Sequence, residues 1–174
     1  VTLQTSLFDC ESEQQKRGFS VKMAFLTGEY DGYKYNVVDT PGDGNFLHEA
    51  HGGLQASDAA VIVISAVDGI EVSTEHVNAY AAGFELPRAI FINKMDRENA
   101  NHTAIIGEIS EVLGVEPVLM QLPIGSEADF KGVVDLVNQV AWIYDGDTGK
   151  PTEQEIPADM ADSVAEALEA MTEA

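Results

Sequence analysis

A single cysteine, Cys10, occurs in 174 residues. No disulfide can form within the chain, which suits a reducing compartment such as the cytoplasm. Cations are scarce too: nine Lys and Arg stand against thirty Asp and Glu, for a formal net charge of −21. So acidic a chain repels polyanions, which excludes direct nucleic-acid binding through its own electrostatics. Long apolar runs are also missing. The longest surrounds residues 61–64 and is about half of what a membrane helix needs, so no membrane partner is expected. No signal peptide is visible. The chain opens at Val1, as a trimmed product would, and the Asn101-His102-Thr103 sequon is expected to be silent.

What is present is ordinary for a globular protein. Hydrophobic residues make up 45% and charged residues 22%, which argues against bulk disorder. The length suggests one domain, or two small ones, with enough chain to bury a core. Residues 20–30 alternate, with Val21, Met23 and Phe25 on one side. A second strand-like run, 33–38, follows Asp31-Gly32, a strong two-residue hairpin signal. Phe46, Ala50 and Leu54 then recur at helical spacing. The runs 59–67 and 89–93 are continuously apolar, as strands buried on both faces of a parallel sheet would be. Residues 74–83 and 105–113 read as helices. Strands alternating with helices predict an α/β fold with a three-layer, mostly parallel sheet and ligand chemistry at the strand carboxyl ends.

From Glu116 the texture changes. Runs 118–122, 132–137 and 139–144 look like short antiparallel strands, and 145–155 like a polar turn. Pro157 suits a first helical position, and Met160, Val164, Leu168 and Met171 give the helix one apolar face. Residues 145–174 hold nine acidic residues and one Lys, which reads as a solvated helix face. Trp142, Tyr33 and Tyr35 read as packing residues.

Two short motifs stand at strand ends. In Asp39-Thr40-Pro41-Gly42, a carboxylate there can serve Mg²⁺, and a glycine amide can approach a terminal phosphate because no Cβ blocks it. Alone, the tetrapeptide is weak evidence, since Pro-Gly after a strand is usually just a turn. In Asn93-Lys94-Met95-Asp96, the aspartate can accept from the two adjacent N–H donors of guanine, a pair that adenine lacks. The Lys94 stem can lie along the base, and the Asn93 amide can reach the purine edge or tie loops together. The same motif also reads as a strand-to-helix turn. His48-Glu49-Ala50-His51 lacks the zinc-protease spacing and has no third ligand, so it reads as a solvent-facing helix.

Residues 36–42, Asn36-Val37-Val38-Asp39-Thr40-Pro41-Gly42, are similar to the second switch of elongation factor G-like translational GTPases. Residues 87–97, with Asn93-Lys94-Met95-Asp96 at their core, resemble the guanine-reading segment of that family. Residues 121–125 and 130–136 look like the start of its insertion subdomain, and 156–159 fit the same insertion. Arg17-Gly18-Phe19-Ser20 is similar to the end of the first switch, where the family usually has Thr. The resemblance implies a P-loop-GTPase-type sheet over 1–115 and an α+β insertion subdomain over 116–174. It implies GTP or GDP bound by Asp39, Thr40, Pro41, Gly42, Asn93, Lys94 and Asp96, Mg²⁺ held by Ser20 and Asp39, and the ribosome as partner of a cytoplasmic parent.

Two departures qualify it. No G-x-x-x-x-G-K-[ST] pattern occurs; only Lys150 follows a glycine, and Pro151 comes next. The chain is therefore expected to be the middle of an incomplete GTP-binding domain, with no nucleotide bound and no activity alone. Asp43 stands where the family generally has the His that positions the attacking water. Asp accepts hydrogen bonds but cannot donate them, so Asp43 reads either as a water-orienting acceptor or as a helix cap shared with Asn45. Asp43, and Asn45 where the family has Asp, lean toward a paralogue of the main factor. The competing expectation is a nucleotide-independent module that docks basic partners through its acidic surface.

Overall fold

A computed structural model describes residues 14, 16, 18–144 and 150–173. Val1, Cys10, Arg17, the first part of the expected 145–155 turn and Ala174 lie outside them. The described residues form two compact units. One runs up to Ile64 and includes Glu71–Phe91; the other joins Ser65–Ile70 to the chain from Ile92 onward.

In the first unit, β1 (Ala24–Tyr30) and β2 (Tyr33–Asp39) form an antiparallel hairpin in register from Ala24↔Asp39 to Tyr30↔Tyr33. Asp31 and Gly32 have φ of +49° and +77°, as the tight turn matching strand twist requires. The strand begins later than the alternation from residue 20 predicts. The Met23 amide donates to the Glu49 carboxylate at 2.9 Å, which takes the chain before Ala24 out of the ladder. Tyr33 and Tyr35, expected to pack, are exposed, because among the described residues the ribbon pairs with no third strand.

A 3₁₀ turn, Gly44–Phe46, leads into α1 (Leu47–Gln55), and α2 (Val72–Gly83) packs beside it. His51 of α1 stands edge-on to Tyr80 and Phe84, with ring centroids 5.0 and 5.1 Å away.

Strands β3 (Ala60–Ser65) and β4 (Arg88–Asn93) form the parallel pair of the expected α/β fold. The Ala60 amide donates to the Pro87 carbonyl and the Ala66 amide to the Asn93 carbonyl, so numbering rises together along both strands. The continuous apolar runs predict burial on both faces, yet only one face is covered. Ala60, Ile62 and Ile64 are buried, whereas Val61 and Val63 are 66% and 59% exposed, as is half of Phe91. Successive strand side chains point to opposite faces, and among the described residues β3 pairs with β4 alone.

In the second unit, α3 (His102–Leu113) is capped by the Asn101 side chain, which accepts from the Ala104 amide, and it ends at Gly114 with φ +64°. Four antiparallel strands follow in spatial order: β5 (Gln121–Ile124), β6 (Gly132–Asp135), β7 (Val140–Tyr144) and β8 (Pro151–Gln154). β5 starts three residues later than expected. β8 replaces the end of the expected polar turn. It is an edge strand with every residue exposed, so it carries no apolar alternation to betray it. Pro157 precedes the 3₁₀ turn Ala158–Met160 with extended ψ and so falls just outside the first helical position. The helix α4 (Ala161–Glu173) presents the expected face: Val164 is buried with Val134 and Leu136, and Met160, Leu168 and Met171 pack around them. Trp142 is half-buried in β7, opposite Val133 and Glu153. Among the described residues no helix is long and apolar enough to cross a membrane.

Leu136 is fully enclosed at the centre of this core. Leu136→Ala is expected to destabilise the protein by about 2–5 kcal/mol in a denaturant titration; a loss below about 1 kcal/mol would contradict its placement.

Candidate functional site

The two motifs fall in different units. In the first, Asp39 is the last residue of β2. Pro41 beyond it is fully buried and anchors the turn, while Gly42 is exposed with nothing within 4 Å of where a Cβ would stand. Thr40 lies under α1, and a Cβ on Gly53 would come to 2.8 Å from its methyl group. Gly53 therefore lets the helix approach the strand end, a role that the Gly52-Gly53 pair in a helical run could have signalled.

Asp43 takes the cap position. Its Oδ1 accepts from the Asn45 backbone amide at 2.8 Å and from the Asn45 side-chain amide at 2.7 Å. Asn45 is thus the cap's donor instead of a second cap. Ser20 belongs to the same unit, in a segment drawn to this turn by the Phe19 ring, whose centroid is 6.4 Å from that of Phe46. In the His48–His51 run, Glu49 serves the Met23 amide and His51 faces the ring of Tyr80 in α2 and that of Phe84 just past its end.

In the second unit the carboxyl ends of β3 and β4 open into adjacent loops. The bond from the Ala66 amide to the Asn93 carbonyl, 2.8 Å, fixes them side by side. The Asn101 amide donates to the Ala66 carbonyl at 3.0 Å and brings the start of α3 to the same point. After Asn93 the chain turns through Lys94 in the left-handed region, φ +62°, which costs about 1–2 kcal/mol for a residue with a Cβ. The turn closes with the Arg97 amide on the Lys94 carbonyl and the Ala100 amide on the Arg97 carbonyl, each 3.1 Å. Met95 is buried with Ala66 and Ala100. Asp96 is thereby left projecting, its side chain 67% exposed and one oxygen 4.0 Å from the Arg97 guanidinium. A carboxylate so presented can accept from two adjacent N–H donors.

Lys94 Nζ donates to Asp68 Oδ2 at 3.0 Å. The Ser65 hydroxyl receives the amides of Val67 and Asp68 at 3.3 and 3.2 Å. The Ser65 hydroxyl bond and then the Lys94 ammonium hold the Asp68 carboxyl below its ordinary 3.8. Glu108 of α3 secures the same loop: its Oε2 accepts from the Ile70 amide at 3.1 Å and fills the space that a Cβ on Gly69 would need. The structure places Asn93, Lys94 and Asp96 on one turn beside Asp68 and Glu108, and the Asn99 amide after that turn donates to Glu127 Oε1 at 2.8 Å. A Ser-x-x-Asp-Gly turn signature could have flagged Asp68. Glu108 and Glu127 had no local signal, because their amide partners lie 38 and 28 residues away.

The family described as "Elongation factor Tu GTP binding domain" matches residues 2–170. Elongation factor G of Rhodopirellula baltica is 39% identical over 159 residues, which span 91% of this chain and 23% of the relative. A crystal structure of a Thermus thermophilus protein superimposes with a TM-score of 0.87 at 26% identity, over 97% of this chain and 25% of that one. The chain spans about a quarter of each of these proteins.

Asp68 gives a pH test of the geometry. A carboxyl with a depressed folded value contributes stability above its unfolded value and loses it as pH falls through the folded one. Followed by carbon-detected NMR, the Asp68 carboxyl should titrate below 3.8, and Ser65→Ala and Lys94→Ala should each move it upward. A midpoint at or above 3.8 would contradict the bonds described.

Proposed function

The chain belongs to the elongation factor Tu GTP-binding domain family, and from that premise we propose that it reads guanine for an elongation factor G-like translational GTPase. Its α/β fold is accordingly of the P-loop GTPase type. The observation that carries the proposal is the turn after β4, which buries Met95, pins Lys94 to Asp68 and leaves the Asp96 carboxylate projecting. A carboxylate there satisfies both edge donors of guanine and is left unpaired by adenine, a strong basis for discrimination. Lys94, stretched between strand end and Asp68, offers its methylene stem to a planar ring. Asn93 completes the base-reading set.

Asp39, Thr40, Pro41 and Gly42 are the corresponding proposal for the phosphate end. The open space at Gly42 suits a backbone amide that a terminal phosphate must approach closely. The family implies GTP or GDP with Mg²⁺ in the parent. The Ser20 hydroxyl and Asp39 carboxylate are hard oxygen donors of the kind Mg²⁺ takes, so the residues fit. When bound, Mg²⁺ would neutralise phosphate charge. Asp43, with Oδ1 committed to Asn45, acts as a cap; any role in orienting water would be as an acceptor. Hydrolysis in such a site rests on positioning and electrostatics.

We read 1–115 as GTP-binding-domain sequence and 116–174 as the insertion subdomain. The sequence holds no phosphate-cradling loop, so nucleotide affinity in the parent depends on residues beyond these 174. The ribosome as partner and the cytoplasm as location are part of the same proposal, supported by the likeness to elongation factor G, and Asp43 and Asn45 favour a paralogue.

The test is calorimetry of GDP and ADP against the longer protein that contains this chain. Asp96→Asn should weaken GDP binding by at least about a hundredfold and leave ADP binding unchanged. Wild-type protein that binds both alike would sink the proposal and favour the nucleotide-independent scaffold.

A further inference from the structure

Asp96 projects from its turn with an exposed side chain, while residues on either side of it are held by one residue distant in sequence, through its side chain and its backbone. The Glu127 amide donates to the Met95 carbonyl at 3.0 Å. The Asn99 amide donates to Glu127 Oε1 at 2.8 Å. Glu127 therefore holds the residue immediately before Asp96 and the residue three positions after it. It does so with φ +51°, while Asn99 stands at +66° and Lys94 at +62°. The left-handed region disfavours side chains, so three such residues around one exposed carboxylate mark a shape that the surroundings impose.

The segment carrying Glu127 is itself closed tightly between β5 and β6. The Asp129 amide donates to the Ser126 carbonyl, the Phe130 amide to the Glu127 carbonyl, and the Lys131 amide to the Ile124 carbonyl. Gly125, at φ +79°, passes so near the Asp129 carbonyl that a Cβ has no room. Phe130 then packs against Ala66, Met95 and Ala100, the apolar floor of the loop. The turn is thus closed by its own hydrogen bonds between two strands of the four-stranded sheet, with Glu127 reaching from it to the loop.

We infer that Glu127 is a positioning residue for guanine recognition, fixing Asp96 through Met95 and Asn99 so that the antiparallel sheet of the second unit sets base selectivity. This rests on the guanine reading of Asp96. The Glu127 carboxylate does not touch the base; it acts by removing freedom from the backbone that presents Asp96. That freedom matters because both amino and ring N–H donors must meet the carboxylate together, and a tilted carboxylate keeps one partner and loses the other.

The experiment compares GDP with IDP, which lacks the exocyclic amino group, in the longer protein. Wild type, Glu127→Gln and Glu127→Gly are measured, with amide exchange of the 95–99 segment and thermal midpoints alongside. Glycine suits the left-handed backbone, so this variant removes the side-chain tether to Asn99 without adding strain and keeps the backbone bond to Met95. The GDP-over-IDP preference should fall at least about fivefold in Glu127→Gly and stay within about twofold in Glu127→Gln, whose amide oxygen still accepts from Asn99. Exchange at Asn99 should quicken in the glycine variant alone. Should Glu127→Gly fail to fold, Glu127→Asp, too short to reach the Asn99 amide, carries the same expectation. An unchanged preference in the shortened or deleted variants, with wild type selective, overturns the inference and leaves the guanine reading standing. A wild type with no preference for GDP over IDP overturns both.

Discussion

Ala66 donates its amide to the Asn93 carbonyl and accepts the Asn101 amide on its own carbonyl. On these bonds depends the geometry of everything around Asp96. The first sets the register of two parallel strand ends, so that the loop carrying Asp68 and the loop carrying Lys94 emerge together. The second draws in the start of α3, which brings Glu108 within reach of Ile70 and Gly69. Ala66 itself is almost wholly enclosed, where an unmade backbone bond is costly. A small side chain at this point leaves room for Met95 to lie against it.

The acidic excess takes on a structural meaning in this light. With thirty carboxylates and nine cations, most acidic side chains have no cationic partner to find. Several accept from backbone amides instead: Glu49 from Met23, Asp43 from Asn45, Glu108 from Ile70, Glu127 from Asn99, and Asp135 from Val137 and Asn138. Each pairing joins an ionised acceptor to a neutral donor, a bond stronger than one between neutral groups. These carboxylates fix turns and loop ends, so the negative charge does more than keep the surface solvated.

What could be read from the sequence was what is local. Asp31-Gly32 announced the hairpin because both positions need a left-handed backbone. Met160, Val164, Leu168 and Met171 announced the buried face of α4 because helical spacing puts them on one side. The Asn93–Asp96 turn could be singled out because its residue types suit one chemistry at a strand end. Strand β8 was hidden, since Thr152, Glu153 and Gln154 pair through backbone alone. The exposed face of β3 was hidden because Val61 and Ile62 look alike in a string of letters. The tethers from Glu108 and Glu127 were invisible, because nothing near either residue hints at a partner dozens of positions away.

The left-handed conformations of Lys94, Asn99 and Glu127 have a consequence for any effort to make this protein more heat-resistant. Strained non-glycine positions are where cheap gains are found: glycine at such a site relaxes the backbone, and screens for thermal tolerance reward it. Here those gains would come at the turn proposed to read the base. On that proposal, a lineage selected for robustness alone would drift toward softer turns, and one selected for fidelity would keep its awkward angles.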